Sequence, residues 1–345
     1  MIELRSDTFT LPTAEMLAAI ACASLGDDGY REDPTVIRLE KMAAARLGKE
    51  AACLMPSGTM ANLACVLAHC PPGSTALVGD QSDFLIYEDK GLAGGAGITI
   101  QPLATQPDGT LPLSSIEEQF SKAKAPGIAV LCIENPHSLC GGVVLPNEYI
   151  HTVARFVHSR GARLHLDGAR LFNAAVKSGI SPAEIVRDSD SIQFCMSKGL
   201  AAPVGSMAVG GAEFIEKVRV KREMLGGNMR QAGVIAAPGI VALEQMVERL
   251  EEDHSNARRL AEGMARIPGL EVDLGTVQTN TVVFRVTDPR FGCRRFIEAA
   301  RWRGLNVMDF QRGRLRAVTH YGITAQDITE ALRIMEQVLE EDFDA

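Results

Sequence analysis

Along residues 50–210, seven short apolar runs alternate with longer stretches whose apolar positions recur at helical spacing. The runs are AACLM (51–55), TALVG (75–79), GITIQ (97–101), IAVLCIE (128–134), ARLHLD (162–167), SIQFCM (191–196) and SMAVG (206–210). A strand that is apolar throughout, rather than at every second position, is buried on both faces, as in a parallel sheet covered by helices on either side. The pattern predicts a large α/β domain over residues 46–245, built on a mostly parallel seven-stranded sheet.

The stretch GGNMRQAGVIAAPGIVALEQMVERL (226–250) reads as a long helix carrying the chain out of this domain. Beyond it come a polar helix HSNARRLAEGMARI, a strand TVVFRV, a helix CRRFIEAARWRGL, a strand LRAVTHY and a closing helix AQDITEALRIMEQVLEE. In the last of these Leu, Ile and Met stand three and four residues apart, the stripe of an amphipathic helix. A small C-terminal α+β domain over 246–345 follows. Residues 1–45 fit neither unit, because GDDGYREDPTV is turn-rich and polar while RLEKMAAARLG is helical. They are expected to form an N-terminal arm that packs on both domains or on a partner subunit.

Composition narrows the function. A chain of 345 residues is long enough for two domains and an enzyme-sized core. With 35 basic and 43 acidic side chains the net charge is −8, and no basic block tracks a phosphate backbone, so nucleic acid is not an expected partner. MIELRSDTFT lacks a charged-then-apolar leader, and no run reaches the ~18 apolar residues that cross a bilayer. A soluble, cytoplasmic protein without a membrane partner is expected. Eight cysteines are scattered without C-x-x-C pairing, several inside apolar runs, and are expected to pack as small hydrophobes rather than form disulfides or a metal site.

The chemistry is concentrated just past strand ends, where open parallel sheets bind their ligands. In PSGTMAN (56–62), Ser57, Gly58 and Thr59 can offer backbone N–H groups to a phosphate, or form an ordinary helix cap. Asp167 ends an apolar strand in HLDGARLF (165–172). It can cap the next helix, or hold a proton on a heterocyclic nitrogen as pyridoxal phosphate requires. In FCMSKGLAAPVGSMAVGG (194–211) Lys198 is the sole charged side chain. It either extends its head to water from an apolar site or presents a desolvated amine that reacts with a carbonyl group. Asp167 and Lys198 stand 31 residues apart, about one strand–helix–strand unit, which brings them to the same sheet edge. A phosphate cradle, a buried acid and a lone lysine in one crevice describe a pyridoxal phosphate site. The glycines of GLAGGAG (91–97) lack the G-x-G-x-x-G order of a dinucleotide site.

Eight blocks, LRSDTFT, GDDGYREDPTV, PSGTMAN, ENPHSLCGGVVLP, HLDGARLFNAA, SKGLAAPVGS, LGGNMRQAG and RAVTHYGIT, occur in the order of the threonine aldolase and aromatic amino acid β-eliminating lyase family. The chain resembles that family of pyridoxal phosphate enzymes with the aspartate aminotransferase fold (type I) over nearly its whole length. The resemblance implies that Lys198 bonds the cofactor and that Asp167 pairs with its pyridine nitrogen. Gly58 and Thr59 would hold the phosphate with Ser197, next to Ser57, and Arg230 would reach it from a neighbouring subunit. Ser6 and Arg316 would bind the substrate carboxylate, with Arg170 at the O3′ side of the ring or sharing that carboxylate. Tyr30 would enter the partner's site, so a homo-oligomer, dimer or tetramer, with interfacial sites is implied. His137 would act as base toward a β-hydroxyl, directly or through a water. The implied reaction splits Cα–Cβ of L-threonine, L-allo-threonine or a related β-hydroxy amino acid into glycine and an aldehyde. The alternative on the same scaffold is β-elimination, begun when Lys198 takes the Cα proton. His165 and His320, inside apolar strands, are expected to be satisfied histidines of the core or just behind the site rather than catalysts.

Several positions depart from the family pattern. Where the family shows a histidine that stacks on the pyridine, in a block like EDSHIYYYE, this chain has DQSDFLIYE with Asp83. A carboxylate cannot stack, so either Phe84 or another side chain covers the cofactor, or Asp83 transfers protons. Arg31 stands where the family's VYGEDP has glycine, Glu223 replaces a lysine near the neighbouring site, and NPHS replaces NTHN around His137. These changes predict an altered substrate preference or a different bond cleaved.

Overall fold

The structure, a computed structural model, describes residues 1–88 and 97–340, so most of the glycine run at 91–97 lies outside the described residues. After a two-residue strand β1 (Ile2–Glu3), the seven apolar runs become β2 (Ala51–Met55), β3 (Thr75–Gly79), β4 (Thr99–Leu103), β5 (Ile128–Glu134), β6 (Arg163–Asp167), β7 (Ser191–Cys195) and β8 (Ser206–Gly210). They form one seven-stranded sheet in the order β2-β8-β7-β6-β5-β3-β4. β8 runs antiparallel to both neighbours, and the remaining pairs are parallel. β4 lies two residues later than its apolar run and carries Pro102, which an edge strand tolerates.

Successive strand residues serve opposite faces. Leu54, Leu77, Leu131, Ile192 and Phe194 join one apolar cluster with the helices Pro34–Arg46, Asn147–Ser159 and Gly233–Gln245. Their strand neighbours Cys53, Met55, Val78, Val130 and Cys132 pack beneath helices Gly58–His69 and Ala212–Met224 or beside Phe84. Two-sided burial is what made the runs continuous. Of the cysteines, Cys53, Cys65, Cys70, Cys132 and Cys195 are buried, whereas Cys22 is exposed.

The second part of the fold has β9 (Leu270–Val272), β10 (Thr281–Val286), β11 (Leu305–Asn306), β12 (Met308–Asp309) and β13 (Leu315–Val318). Four of these make an antiparallel sheet, β12-β13-β10-β9, with its own apolar core against helices Leu250–Met264, Cys293–Trp302 and Ala325–Glu340. β1 pairs with β11, so Ile2 and Leu4 enter this C-terminal core while Val36 and Leu39 enter the large one. The single long helix predicted over 226–250 is replaced by a helix Gly233–Gln245 and a separate one starting at Leu250. Gly226, at φ +78°, closes the preceding helix instead of opening a new one. Among the described residues no helix is long and apolar enough to cross a membrane.

Candidate active site

β5, β6 and β7 lie side by side, with Glu134 opposite Asp167 and Asp167 opposite Gln193. Their carboxyl ends therefore deliver three polar side chains to one edge. Beside them opens a cleft of about 370 Å³ lined by Ser57, Gly58, Thr59, Asn62, Asp83, Tyr87, Glu88, Asp167, Gln193, Cys195, Ser197 and Lys198. Seven residues singled out in the sequence, namely Ser57, Gly58, Thr59, Asp83, Asp167, Ser197 and Lys198, are thus brought together.

The cradle comes from a helix start. Ser57 is the N-cap of helix Gly58–His69, its hydroxyl accepting from Met60 N–H at 3.2 Å. The positive end of that helix faces the cleft and favours an anion. A Cβ on Gly58 would lie 2.8 Å from Cys195 Sγ, so glycine lets the helix start close on the end of β7.

Asp167 is oriented by three donors: Asn62 Nδ2 at 2.8 Å, Gln193 Nε2 at 2.6 Å and the backbone N–H of Ala169 at 3.0 Å. Its last bond is the helix-side contact foreseen for a cap, but the side chain also lines the cleft. The Lys198 amine shares the cleft and has no hydrogen-bond or ion-pair partner among the described residues. A fixed acid, a free amine and a helix N-terminus match the pyridine nitrogen, aldehyde and phosphate of pyridoxal phosphate, so these residues fit that group.

A second group of charged side chains lies alongside. Arg170 is buried and bonded twice to Asp7, with Nε to Oδ2 at 2.8 Å and Nη2 to Oδ1 at 2.7 Å. Burial alone would raise the Asp7 carboxyl, yet Arg170 holds it well below the ordinary range. Arg316, on β13, donates from Nε and Nη2 to Arg5 O at 3.3 and 3.1 Å and rests on the Phe310 ring. Burial and then the Arg170 charge lower its pKa. Arg316 forms no ion pair among the described residues, which leaves it open to an incoming carboxylate. Ser6 caps the short turn after β1, its Oγ accepting from Thr8 N–H at 3.2 Å.

Asp83 donates its backbone N–H to Glu134 Oε2 at 3.1 Å, and Glu134 Oε1 accepts from Ser138 N–H at 2.7 Å. Burial raises the Asp83 carboxyl, with Lys198 opposing and Asp167 adding to the rise. Burial also raises Glu134 well above its usual range, helped by Asp83 and Asp167. Phe84 does not cover the cleft. It is packed in an apolar cluster with Val66, Val78 and Ile98, and Tyr87, one helical turn on, is the aromatic residue on the cleft wall.

His137 is buried and lies outside the cleft lining. Its Nδ1 has no partner, and burial pushes the ring down to about 4, so it is a neutral imidazole at pH 7. His165 makes two hydrogen bonds, to Ser191 and Asn62, and is satisfied, as expected. The His320 ring nitrogens lie 2.9 and 3.0 Å from the carbonyl oxygens of Tyr321 and Glu3; both oxygens only accept, so a ring with one N–H donates to just one of them.

Tyr30, Arg31, Glu223 and Arg230 do not join Lys198 within one chain. Arg31 and Glu223 line a separate depression with Asp28, Arg219 and Arg222. Tyr30 is 75% exposed, and the Arg230 side chain is 67% exposed beside Asp27 at 3.7 Å.

Asp7, Asn62, Glu88, Gln193 and Tyr87 were not anticipated. Gln193 carried a signal, being a long polar side chain inside a strand buried at every position. Asn62 falls four residues after Gly58 and so shares its helix face, a spacing readable once the cradle is recognised.

The β-eliminating lyase family model matches residues 3–287. The chain is 39% identical over 337 residues to the low specificity L-threonine aldolase of Escherichia coli (strain K12), covering 96% of this chain and 97% of that one. Among solved structures it is similar to Leishmania major threonine aldolase, with TM-score 0.83, 15% identity and coverage of 98% and 100%. It is also similar to an SPT with PLP, with TM-score 0.78, 18% identity and coverage of 98% and 87%. The two solved structures establish the fold, and one of them holds the cofactor that the cleft residues fit.

Proposed function

The chain belongs to the threonine aldolase and β-eliminating lyase family, and on that premise we propose that it is a pyridoxal phosphate-dependent carbon–carbon lyase. It splits Cα–Cβ of L-threonine, L-allo-threonine or a related β-hydroxy amino acid into glycine and an aldehyde. The observation carrying this reading is that Lys198 and Asp167 face one cleft beside the N-terminus of helix Gly58–His69.

When bound, the cofactor supplies an electron sink for the pair released at Cα. The residues around it supply the rest. Lys198 gives the amine that anchors the cofactor's aldehyde carbon, and Asp167, fixed by its three donors, holds a proton on the ring nitrogen. Gly58, Thr59 and Ser197 bind the phosphate, with Ser57 setting the helix start. Arg316, with Ser6 and the Arg170–Asp7 pair at its side, takes the substrate carboxylate bidentately. His137, neutral at pH 7, accepts the β-hydroxyl proton through a water, since its ring stands back from the cleft.

Tyr30, Arg31, Glu223 and Arg230 act in this reading on the site of a second copy in a homo-oligomer, dimer or tetramer. Their exposure and their place outside the lining of the Lys198 cleft support it, as do the exposed apolar side chains Leu11, Leu17 and Met224. Residues 1–45 are read as an arm, with domains 46–245 and 246–345.

Asp83 favours a second reading, β-elimination, because an acid rather than a stacking ring stands in the cleft. The test is product analysis of the cofactor-loaded protein with L-threonine, L-allo-threonine and phenylserine. Glycine and the matching aldehyde are expected. Ammonia and a 2-oxo acid, with no glycine from any of the three, would replace the aldolase assignment by β-elimination.

A further inference from the structure

A row of polar side chains runs away from Asp167, and beyond Asn62 the reading above uses none of them. Asn62 Nδ2 donates to Asp167 Oδ2 at 2.8 Å and to Glu88 Oε2 at 3.0 Å. A carboxylate only accepts, so the amide turns its nitrogen to the acids and its Oδ1 to His165. His165 Nε2, 3.0 Å from that Oδ1, therefore carries the ring proton. The other nitrogen, Nδ1, then accepts from the Ser191 hydroxyl at 2.8 Å. With its proton committed, Ser191 Oγ accepts from His69 Nε2, also at 2.8 Å. Burial keeps both rings neutral, lowering His165 to about 4 and His69 to about 3. Every donor in the row points toward the acids.

We propose that Asn62, locked in this orientation by His165, is a positioning residue that ties Glu88 and Asp167 into one carboxyl pair, in which Glu88 holds the proton. The proposal rests on the reading of Asp167 as partner of the ring nitrogen. Two carboxyl groups sharing one amide nitrogen cannot both be charged without strong repulsion. Asp167 has two further donors, Gln193 and the Ala169 N–H, whereas Glu88 has the Thr59 hydroxyl. The remaining charged groups favour the same division. Asp83, on the segment that carries Glu88, adds a second negative charge toward it, and Glu134 on β5 is itself pushed up by Asp83 and Asp167. Lys198, the cation in the cleft lining, acts on Asp83. Burial and then Asp167 raise Glu88 to about 7. A neutral Glu88 also spares the phosphate cradle at Thr59 a like charge.

Two measurements test this. In cofactor-free protein, thermal unfolding of wild type and Glu88→Gln is compared from pH 5.5 to 8. A buried acid raised above its unfolded value stabilises below that value and loses this as pH rises through about 7. The variant should therefore gain stability relative to wild type across that window, and a pH-independent difference overturns the assignment of the proton to Glu88. In the second, pyridoxal phosphate affinity is measured for His165→Gln, whose amide can still donate to Asn62, and His165→Leu, which cannot. His165→Leu should bind about tenfold more weakly, as one lost hydrogen bond predicts, while His165→Gln stays within about threefold. Equal losses in both overturn the positioning role. If instead wild type binds no pyridoxal phosphate while the unfolding difference persists, the cofactor reading fails and the carboxyl pair stands.

Discussion

The Arg170 guanidinium closes on the Asp7 carboxylate through two parallel hydrogen bonds, joining residues 163 positions apart. Asn280, just ahead of β10, adds a third bond to Asp7 Oδ2 at 3.2 Å. One buried carboxylate thus pins the N-terminal segment to both the large sheet and the C-terminal unit. Removing one partner of a buried pair leaves the other uncompensated, at a cost of about 3–5 kcal/mol. Asp7→Ala should lower the melting temperature accordingly. The sign of the pH dependence is fixed by the lowered pKa of Asp7. Its stabilisation is complete above the ordinary carboxyl value of about 4 and is lost only as acid carries it below that. The gap in stability between wild type and Asp7→Asn should stay constant from pH 8 to about 4 and narrow below it. A gap already closing between pH 7 and 5 would assign the effect to another group.

Arg316 presents a different balance, a half-buried guanidinium whose partners are a carbonyl, a thioether and an aromatic face rather than an acid. A planar fork binds a carboxylate at two points and an ammonium at one. Arg316→Lys should raise KM for β-hydroxy amino acids about 10- to 100-fold with a smaller change in kcat. The absorbance of the bound cofactor should not change, because Arg316 does not line its cleft. A fall in kcat at unaltered KM would remove Arg316 from the carboxylate seat.

The parts legible in the sequence are those whose cause is local. Two-sided burial made the inner strands of the large sheet largely apolar runs, unlike the edge strand β4, and Lys198 and Asp167 stood out as charges at the ends of such runs. Strands of two or three residues, such as β1, β9, β11 and β12, are too short to show a period. Asn62, Glu88 and Asp7 stayed hidden because each is an ordinary polar residue in its own segment. Their roles come from what lies opposite, 105 positions away for Asn62 and Asp167. The choice between Phe84 and another side chain stayed open for the same reason: which of Phe84 and Tyr87 faces the cleft depends on how their short helical segment sits over β3, a tertiary fact.

Arg31 occupies a left-handed conformation, φ 61° and ψ 35°, at the position where the family shows glycine. For a residue with a Cβ this costs about 1–2 kcal/mol. The guanidinium pairs with Glu216, Nη1 to Oε1 at 3.1 Å, but both side chains are more than half exposed, so the pair returns only about 0–1 kcal/mol. Arg31→Gly should therefore change stability by no more than about 1 kcal/mol, strain relief offsetting the lost pair and the freer unfolded chain. If the cation is retained to meet a substrate group in a neighbouring copy's site, the variant should lose kcat/KM on 3-hydroxyaspartate relative to threonine. An unchanged ratio would make Arg31 a surface residue with no part in selection.

Gly58 offers the sharpest test of the cradle, because the obstacle to a side chain there is one atom. A Cβ would sit 2.8 Å from Cys195 Sγ, while its next neighbours, Gln193 Oε1 and Ser206 Oγ, would be 3.6 Å away, an ordinary contact. Gly58→Ala should push the helix start away from β7, costing about 1–3 kcal/mol of stability and weakening pyridoxal phosphate binding. Cys195→Ala removes the sulfur and leaves a small void at the cleft wall. Combined with Gly58→Ala, it should recover most of both losses, since the new methyl group then occupies the space the sulfur left. The measurement is a double-mutant cycle on melting temperature without cofactor and on the dissociation constant with it. A favourable coupling of at least ~1 kcal/mol in both would show that the glycine is required by the approach of helix and strand. Independent, additive losses would mean that the first-turn backbone needs glycine for the phosphate itself.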